Sequence, residues 1–327
     1  MKLVTGGAGF IGSNIAAALD DRGEAVAICD HLWSQDKWRN VAKRDLVDIV
    51  APENLETWLT ARGGALDAVI HMGAISSTTE RDADLIVDVN FRLLLNLWRW
   101  CARHGVRFLY ASSAATYGDG SEGFDDDASR EALARLRPLN AYGWSKHLFD
   151  RRVQRVLDDG DETPPQWVGL KFFNVYGPNE YHKGSMMSVV AQKLPLAVAG
   201  QPVTLFTSCN PEYPNGAQRR DFIFVDDCVD VVLWLLDNPA ISGLFNLGTG
   251  TDRSFEDLAR AIFTALDKEP EVAFIDMPEE IRARYQYFTR ARMERLRAAG
   301  YDRAFTSLED GVGSYVKDYL IAADPYR

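Results

Sequence analysis

Thr5-Gly6-Gly7-Ala8-Gly9-Phe10-Ile11-Gly12 decides how this 327-residue chain folds. The apolar residues 2–4 before it read as a short strand, and the run after it reads as a helix to about Leu19. The glycines satisfy Gly-x-Gly-x-x-Gly counted from Gly7 and Gly-x-x-Gly-x-x-Gly counted from Gly6. Glycine at these positions permits a tight turn, lets a pyrophosphate reach the backbone, and lets the helix pack close to the strand. The helix N-terminus then offers free N–H groups and the positive end of its dipole to the phosphates. A plain glycine turn satisfies the same spacing. The strand before it and the helix after it make this a dinucleotide-binding turn.

The pattern repeats downstream. Residues 24–30 read as a second strand, and Asp30 closes it roughly twenty residues beyond the glycines. An acid there bonds the adenosine ribose hydroxyls, which suits NAD, or it caps a turn. Lys37 and Arg39 are close enough in sequence to meet a 2′-phosphate, so NADP also fits. Arg44-Asp45-Leu46 reads as the end of a third strand, where Asp45 and Leu46 bracket an adenine. Leu66 to His71 reads as a fourth strand. The residues after it, Met72-Gly73-Ala74-Ile75, let a cofactor run along the sheet edge. A long amphipathic helix from about Ala83 to His104 carries Asn90, either a brace for the backbone of the catalytic strand or a solvated side chain. Val106 to Ala111 reads as a fifth strand ending in Ser112-Ser113-Ala114-Ala115-Thr116-Tyr117-Gly118. A hydroxyl at the carboxyl end of a parallel strand faces the ligand crevice. This alternation predicts an α/β fold, a Rossmann-type doubly wound parallel sheet.

Pro138-Leu139-Asn140-Ala141-Tyr142-Gly143-Trp144-Ser145-Lys146 comes after an acidic, then Arg-rich loop. Tyr142 and Lys146 stand at i and i+4, which puts both side chains on one helix face. A free phenol titrates near pH 10, too high for a base at neutral pH. An ammonium one turn away favours the phenolate. Tyr142 is thus a candidate to take and return a substrate proton. The spacing is common on ordinary surface helices, so the glycine turn and the serine-rich strand end carry part of this reading.

Gln166 to Phe173 reads as a sixth strand, and Asn174-Val175-Tyr176-Gly177-Pro178 comes directly after it. Beyond it the alternation weakens. The sequence therefore divides into residues 1–173, mainly dinucleotide-binding, and residues 174–327, mainly a smaller C-terminal α/β substrate lobe. The strand near 222–225 and nearby segments are expected to return to the first part. His182-Lys183-Gly184-Ser185 is expected to open a helix to about Leu194. A lysine at a helix start opposes the dipole, so Lys183 reads as serving a ligand, either as a base or as a phosphate contact. A Pro/Asn/Gly-rich loop, residues 207–219, ends in Arg219-Arg220-Asp221, and the Arg220 guanidinium suits a diphosphate in bidentate fashion.

An apolar share of 46% and a charged share of 25% are those of an ordinary globular protein. A net charge of -11 argues against general binding to nucleic acid or anionic membrane. It leaves an anionic small ligand to local lysines and arginines. The four cysteines form no Cys-x-x-Cys pair, which fits a reduced, cytoplasmic compartment. The five histidines show no ligand spacing, so no metal is expected. No run approaches eighteen uninterrupted apolar residues, and no membrane span is expected.

Five of these strings together resemble the extended short-chain dehydrogenase/reductase superfamily, whose members act on nucleotide sugars. They are Thr5 to Gly12, Ser112 to Gly118, Tyr142 to Lys146, Phe173 to Pro178, and Arg220 to Val225. Ala74-Ile75-Ser76-Ser77-Thr78-Thr79-Glu80, His182-Lys183-Gly184-Ser185-Met186, Phe245-Asn246-Leu247-Gly248-Thr249-Gly250 and Arg284-Tyr285-Gln286 look like the ADP-L-glycero-D-manno-heptose 6-epimerase family within it. That resemblance spans almost the whole chain. It implies epimerisation at C6″ of ADP-heptose by transient oxidation and re-reduction with bound NADP, NAD being possible, to supply heptose for lipopolysaccharide core. It implies Tyr142 and Lys183 as bases on opposite faces of that carbon. Lys146 would position the nicotinamide ribose and Ser113 would hydrogen-bond the reacting oxygen. Gly6, Gly9, Phe10, Ile11, Gly12, Asp30, His31, Lys37, Asp45 and Leu46 would line the cofactor, as would Met72, Gly73, Ala74, Ser76, Asn90 and Val175. Asn174, Ser185, Gln192, Phe206, Arg220 and Tyr285 would meet sugar or nucleotide, although Phe206 also reads as plain core. The family forms closed homo-oligomers, pentamers in this subfamily.

The chain departs from the family pattern in places. His71-Met72-Gly73-Ala74-Ile75 stands where the family has His-Glu-Gly-Ala-Cys, residues 207–219 are longer, and Asn179 and Tyr181 differ from the usual residues. A dehydratase needs a titratable pair where Ala114, Ala115 and Thr116 stand. A UDP-hexose 4-epimerase shares the fold and the Tyr/Lys pair. A non-catalytic dinucleotide sensor would not need Ser113, Tyr142 and Lys146 intact.

Overall fold

Buried apolar tetrapeptides build the centre of the fold. Lys2–Thr5 (β1), Val26–Cys29 (β2) and Ala68–His71 (β4) are buried at every position, as parallel strands covered on both faces must be. The computed structural model describes residues 1–33, 36–282 and 285–327. Asp48–Val50 is β3, Arg107–Ser113 is β5, Trp167–Phe172 is β6, and Asn174–Tyr176 is β7. Val203–Phe206 is β8, Arg219–Phe224 is β9, Gly243–Leu247 is β10, Asp252–Ser254 is β11, and Val272–Ile275 is β12. Among the described residues, seven strands form one parallel sheet in the order β10-β6-β5-β4-β1-β2-β3. The order turns round between β1 and β4, which places a ligand crevice outside the carboxyl ends there. Thr5 pairs with both Cys29 and His71, so these strands end flush at that edge.

Helices cover the sheet: Phe10–Asp21 (α1), Leu55–Arg62 (α2), Ala83–Val87 (α3), Leu93–His104 (α4), Arg130–Arg135 (α5) and Ala141–Asp159 (α6). A π-helical turn, Asp88–Arg92, joins α3 to α4, so the expected long helix is present with one wide turn inside it. Val189–Val198 (α7), Val225–Asp237 (α8) and Phe255–Ala265 (α9) come later in the chain. One apolar core spans the large sheet through Leu3, Val69, Leu109 and Val168. A second gathers Tyr176, Val190, Leu258 and Tyr315 around the smaller sheets. Among the described residues no helix is long and apolar enough to cross a membrane.

Three expectations need correction. β3 begins at Asp48, so exposed Asp45 and half-buried Leu46 precede it and lie at the wrong end for an adenine. Ala51 to Glu53 occupy the carboxyl end of β3 instead, and Glu53 lies 3.6 Å from His31. The strand near 222–225 does not join the large sheet. β9 pairs with β7 and β11, because the chain leaves β6 at Phe173 and turns aside. α8, packed on α1, and β10, paired with β6, make the return instead. Lys183 does not open α7: it sits in a separate 3-10 segment, Tyr181–Met186, which breaks at Gly184 (φ 54°) before Ser188 caps α7. Arg284 lies outside the described residues.

Candidate active site

The glycine turn is held against the start of the segment after β4. Gly6 has φ 64°, and a side chain there would run into the backbone of Met72 and Gly73. A side chain at Gly12 would meet the Gly6 carbonyl. The turn is therefore a backbone-lined cradle at the N-terminus of α1, of the kind a pyrophosphate fits. Asp30 Oδ2 accepts from the Ala8 N–H (3.0 Å), and Asp30 Oδ1 accepts from Lys37 Nζ (2.6 Å). Lys37 also donates to the His31 carbonyl and lies over the Trp33 ring. Arg39 is turned away, stacked on Tyr326. Asn90 is a brace: its Oδ1 accepts from Ile75 N–H, and its Nδ2 donates to Ile75 O and Ser145 Oγ. It thus ties the cofactor edge to α6, not to the catalytic strand. Met72, Ala74 and Val175 are half-buried nearby, and Ser76 is exposed.

The Tyr142 side is built by α6 docking on the end of β5. Asn140 caps the helix by accepting from Gly143 N–H (2.8 Å). Gly143 lies so close to Ala115 that a side chain would collide with it. This approach brings Tyr142 beside Ser113. Burial raises the Tyr142 pKa, and the neighbouring Ser113 hydroxyl pulls it back only in part. The Lys146 ammonium donates to the Ala111 carbonyl (2.8 Å). Burial lowers the Lys146 pKa to about 8, against the opposing pull of Asp150. Beneath, His71 is buried, bonded to Thr5 Oγ1 (2.7 Å), and held down at about 3 by burial and by Lys146.

Lys183 stands on another element. Its Nζ lies 5.1 Å from the centre of the Phe10 ring, beside the glycine turn. Burial lowers its pKa, opposed by Glu180. Glu180 is buried and accepts from Ser188 N–H, Ser188 Oγ and Tyr315 OH. The cluster has further anchors. Asn179 (φ 72°) donates to Ser13 Oγ, and Asn40 donates to the carbonyls of Ala8 and Asn179. Gln192 donates to the Ser185 and Met187 carbonyls, so it holds this segment.

A third group surrounds Arg220. Its guanidinium is buried, 5.3 Å from the Tyr285 ring and 5.5 Å from Phe255, and it donates to the Arg219 and Gln286 carbonyls. Arg219 pairs with Asp252. Tyr213, from the long loop, packs on Tyr287. Phe206 is half-buried and belongs to neither apolar core. Asn174 points inward, donating to Asp221 O and Thr289 Oγ1. Sequence reasoning missed Asn40, Glu180, Asp150 and Lys171. Of these only Asp150 had a signal: it comes after Tyr142 and Lys146 at the same four-residue spacing. Among the described residues no group of three or more His, Cys, Asp or Glu could hold a metal.

Fold and glycine turn define a nicotinamide-dinucleotide enzyme. The pattern of the NAD dependent epimerase/dehydratase family matches residues 2–248, and the chain belongs to that family. Within it, the chain is similar along its whole length to proteins named ADP-L-glycero-D-manno-heptose-6-epimerase, and it is an NAD(P)-dependent epimerase. The one from Nitratidesulfovibrio vulgaris (strain DP4) is 49% identical, covering 100% of both chains. That from Fusobacterium nucleatum subsp. nucleatum is 46% identical with the same coverage. The crystal structure of Helicobacter pylori ADP-L-glycero-D-manno-heptose-6-epimerase superposes with TM-score 0.77 at 26% identity, covering 97% of this chain and 95% of that one. UDP-glucose 4-epimerase from Thermus thermophilus, solved with NAD, gives 0.74 at 27% identity, covering 99% and 100%.

Proposed function

We propose that this epimerase converts ADP-D-glycero-D-manno-heptose to ADP-L-glycero-D-manno-heptose by inverting C6″, with NADP bound throughout. The observation that carries the reading is two desolvated titratable side chains on separate elements, Tyr142 beside Ser113 at the carboxyl end of β5 and Lys183 beside Phe10 of the dinucleotide turn. The names of the full-length relatives supply the substrate. When bound, the nicotinamide would supply reversible hydride transfer. Tyr142 takes the C6″ hydroxyl proton while Ser113 donates to the same oxygen. Lys146 orients the ribose. Lys183 serves the opposite face, where the returning hydride requires a proton donor. Arg220 and Tyr285 hold the diphosphate and nucleotide, and Ser185, Gln192, Asn174 and Phe206 shape the sugar side. In this division residues 1–173 mainly bind the dinucleotide and 174–327 mainly the substrate.

Lys37 supports NADP over NAD. Its ammonium neutralises the Asp30 carboxylate, whose charge would otherwise repel a 2′-phosphate. The buried free thiols of Cys29, Cys101 and Cys228 support a cytoplasmic setting, and the subfamily resemblance supports a pentamer. The test is direct. Purified protein is denatured and the released dinucleotide identified, and ADP- and UDP-sugars are offered to the native enzyme. Inversion of ADP-heptose with NADP in the supernatant is expected. Turnover of a UDP-hexose alone would overturn the substrate, and NAD alone would overturn the cofactor.

A further inference from the structure

Behind the Ser113–Tyr142 pair lies a closed polar cluster that the reaction does not touch. Asp150 and Lys171 form an ion pair (2.8 Å) with side chains 0% and 1% exposed. Asp150 Oδ2 also accepts from Ser112 Oγ (2.7 Å), and its Oδ1 accepts from Tyr110 OH (3.2 Å). Lys171 donates to Thr116 Oγ1 (2.7 Å), and Thr116 Oγ1 donates to the Ser113 carbonyl (2.8 Å). One carboxylate on α6 therefore grips β5 on either side of Ala111, the residue whose carbonyl holds Lys146. A buried ion pair gives weak net stability, and well-packed apolar residues often replace one at no cost. Packing alone therefore does not account for a carboxylate at this position.

We propose that Asp150 is a positioning residue for the proton-transfer site: its carboxylate fixes the strand end that carries Ser113 and the Ala111 carbonyl on which Lys146 is held, while Lys171 is its buried counter-ion. This rests on the epimerase reading for its catalytic meaning, but not for its geometry. The charged and titratable groups around Lys146 are few. On α6 they are Tyr142, His147 and Asp150. β4 contributes His71, which stays neutral, and β6 contributes Lys171. Asp150 is the acid that favours the Lys146 ammonium against burial.

The test compares Asp150→Asn with the double variant Asp150→Asn/Lys171→Met, because the single variant strands a buried ammonium and can fail to fold. The holoenzyme is labelled with 13Cε-lysine, and the Lys146 signal is assigned by its loss in Lys146→Met. In the wild type it should titrate near pH 8. In Asp150→Asn its midpoint should fall by roughly one pH unit, since a nearby opposite charge is gone, and in the double variant it should fall by less, since a like charge goes too. The alkaline limb of kcat should fall with it, with KM changed less than about twofold. A wild-type Lys146 titration in the folded double variant would overturn the proposal, as would recovery of the wild-type kcat profile in it. The NMR readout needs no substrate. If the wild type fails to turn over ADP-heptose while the titration still shifts, the functional reading fails and the positioning role stands.

Discussion

The two proposed proton carriers, Tyr142 and Lys183, stand on walls built in opposite ways. Tyr142 rides on a 19-residue helix docked against a seven-residue strand of the central sheet. Its supports, Ser112, Ser113, Lys146, Asp150 and Lys171, belong to the adjacent elements β5, α6 and β6. Lys183 rides on a six-residue 3-10 segment with a kink at Gly184. Its supports come from far along the chain: Ser13 on α1, Asn40, Tyr315, and the C-terminal residues 325–327. Regular structure thus fixes the first carrier. The second is held by side chains that satisfy the backbone of an irregular segment, as buried polar groups must be. The first wall should tolerate single losses in its periphery, and the second should move when one distant anchor goes.

The largest effect should come from Tyr142→Phe. In the proposed reaction the phenol itself moves the proton, so kcat should fall by about 10²–10⁴-fold with bound dinucleotide unchanged. Steady-state kinetics and cofactor release measure both. A variant of near-normal rate would remove the first wall from the chemistry.

Lys183→Met comes next, with a loss in kcat of about 10²-fold and a smaller change in KM. Rapid kinetics on ADP-heptose should separate this from a phosphate contact. Weakened affinity with turnover surviving at saturation would leave Tyr142 without a partner and break the two-wall scheme.

The same contrast governs what could be read from the sequence. The glycine turn, the strand-helix alternation and the Tyr142/Lys146 pair are periodic signals, and each lands where expected. Asp150 continues that period, a signal the sequence reading leaves unused. Lys183 stands out by its neighbours in sequence, yet its surroundings differ from those expected, because Gly184 breaks the segment before α7 begins. Nothing in the spacing of Asn40 and Asn179 shows that they meet, since 139 positions separate them. Asp45 and Leu46 fail for another reason: β3 is three residues long, and its two apolar residues, Ile49 and Val50, are too faint a signal to fix its end.

A third experiment tests what the walls share. Burial lowers His147 on α6 to about 4 and His182 beside Lys183 to about 4, from 6.5. Each is kept neutral in the fold, so the unfolded chain takes up protons first as the pH drops. Their stabilising contribution is full above about pH 6.5 and is lost as pH falls through about 4. Thermal midpoints should therefore decline over that window. His147→Gln and His182→Gln should each flatten the decline, by similar amounts. A slope unchanged by both variants would place the acid sensitivity elsewhere.

The smallest effect is the sharpest test of the contrast, because it removes one hydrogen bond from each wall. Tyr181→Phe deletes the bond from Tyr181 OH to the Pro325 carbonyl (2.7 Å). Ser112→Ala deletes the bond from Ser112 Oγ to Asp150 (2.7 Å). Each should cost about 0.5–1.5 kcal/mol, so global stability will not tell them apart. Local stability should. Asp150 keeps Tyr110 and Lys171, and α6 keeps its hold on the Ala111 carbonyl. Tyr181 begins the Lys183 segment, where the C-terminal strap reaches the protein also through the Arg327 N–H on Asn179 (3.1 Å). Loosening the strap should speed amide exchange at Lys183, whose N–H donates to the Glu180 carbonyl, relative to global unfolding. Amides of Ser113 and Ala115 should exchange at the wild-type rate in Ser112→Ala. Equal acceleration at both places would mean that the walls are equally redundant, and that the distant anchors of Lys183 do not govern its position.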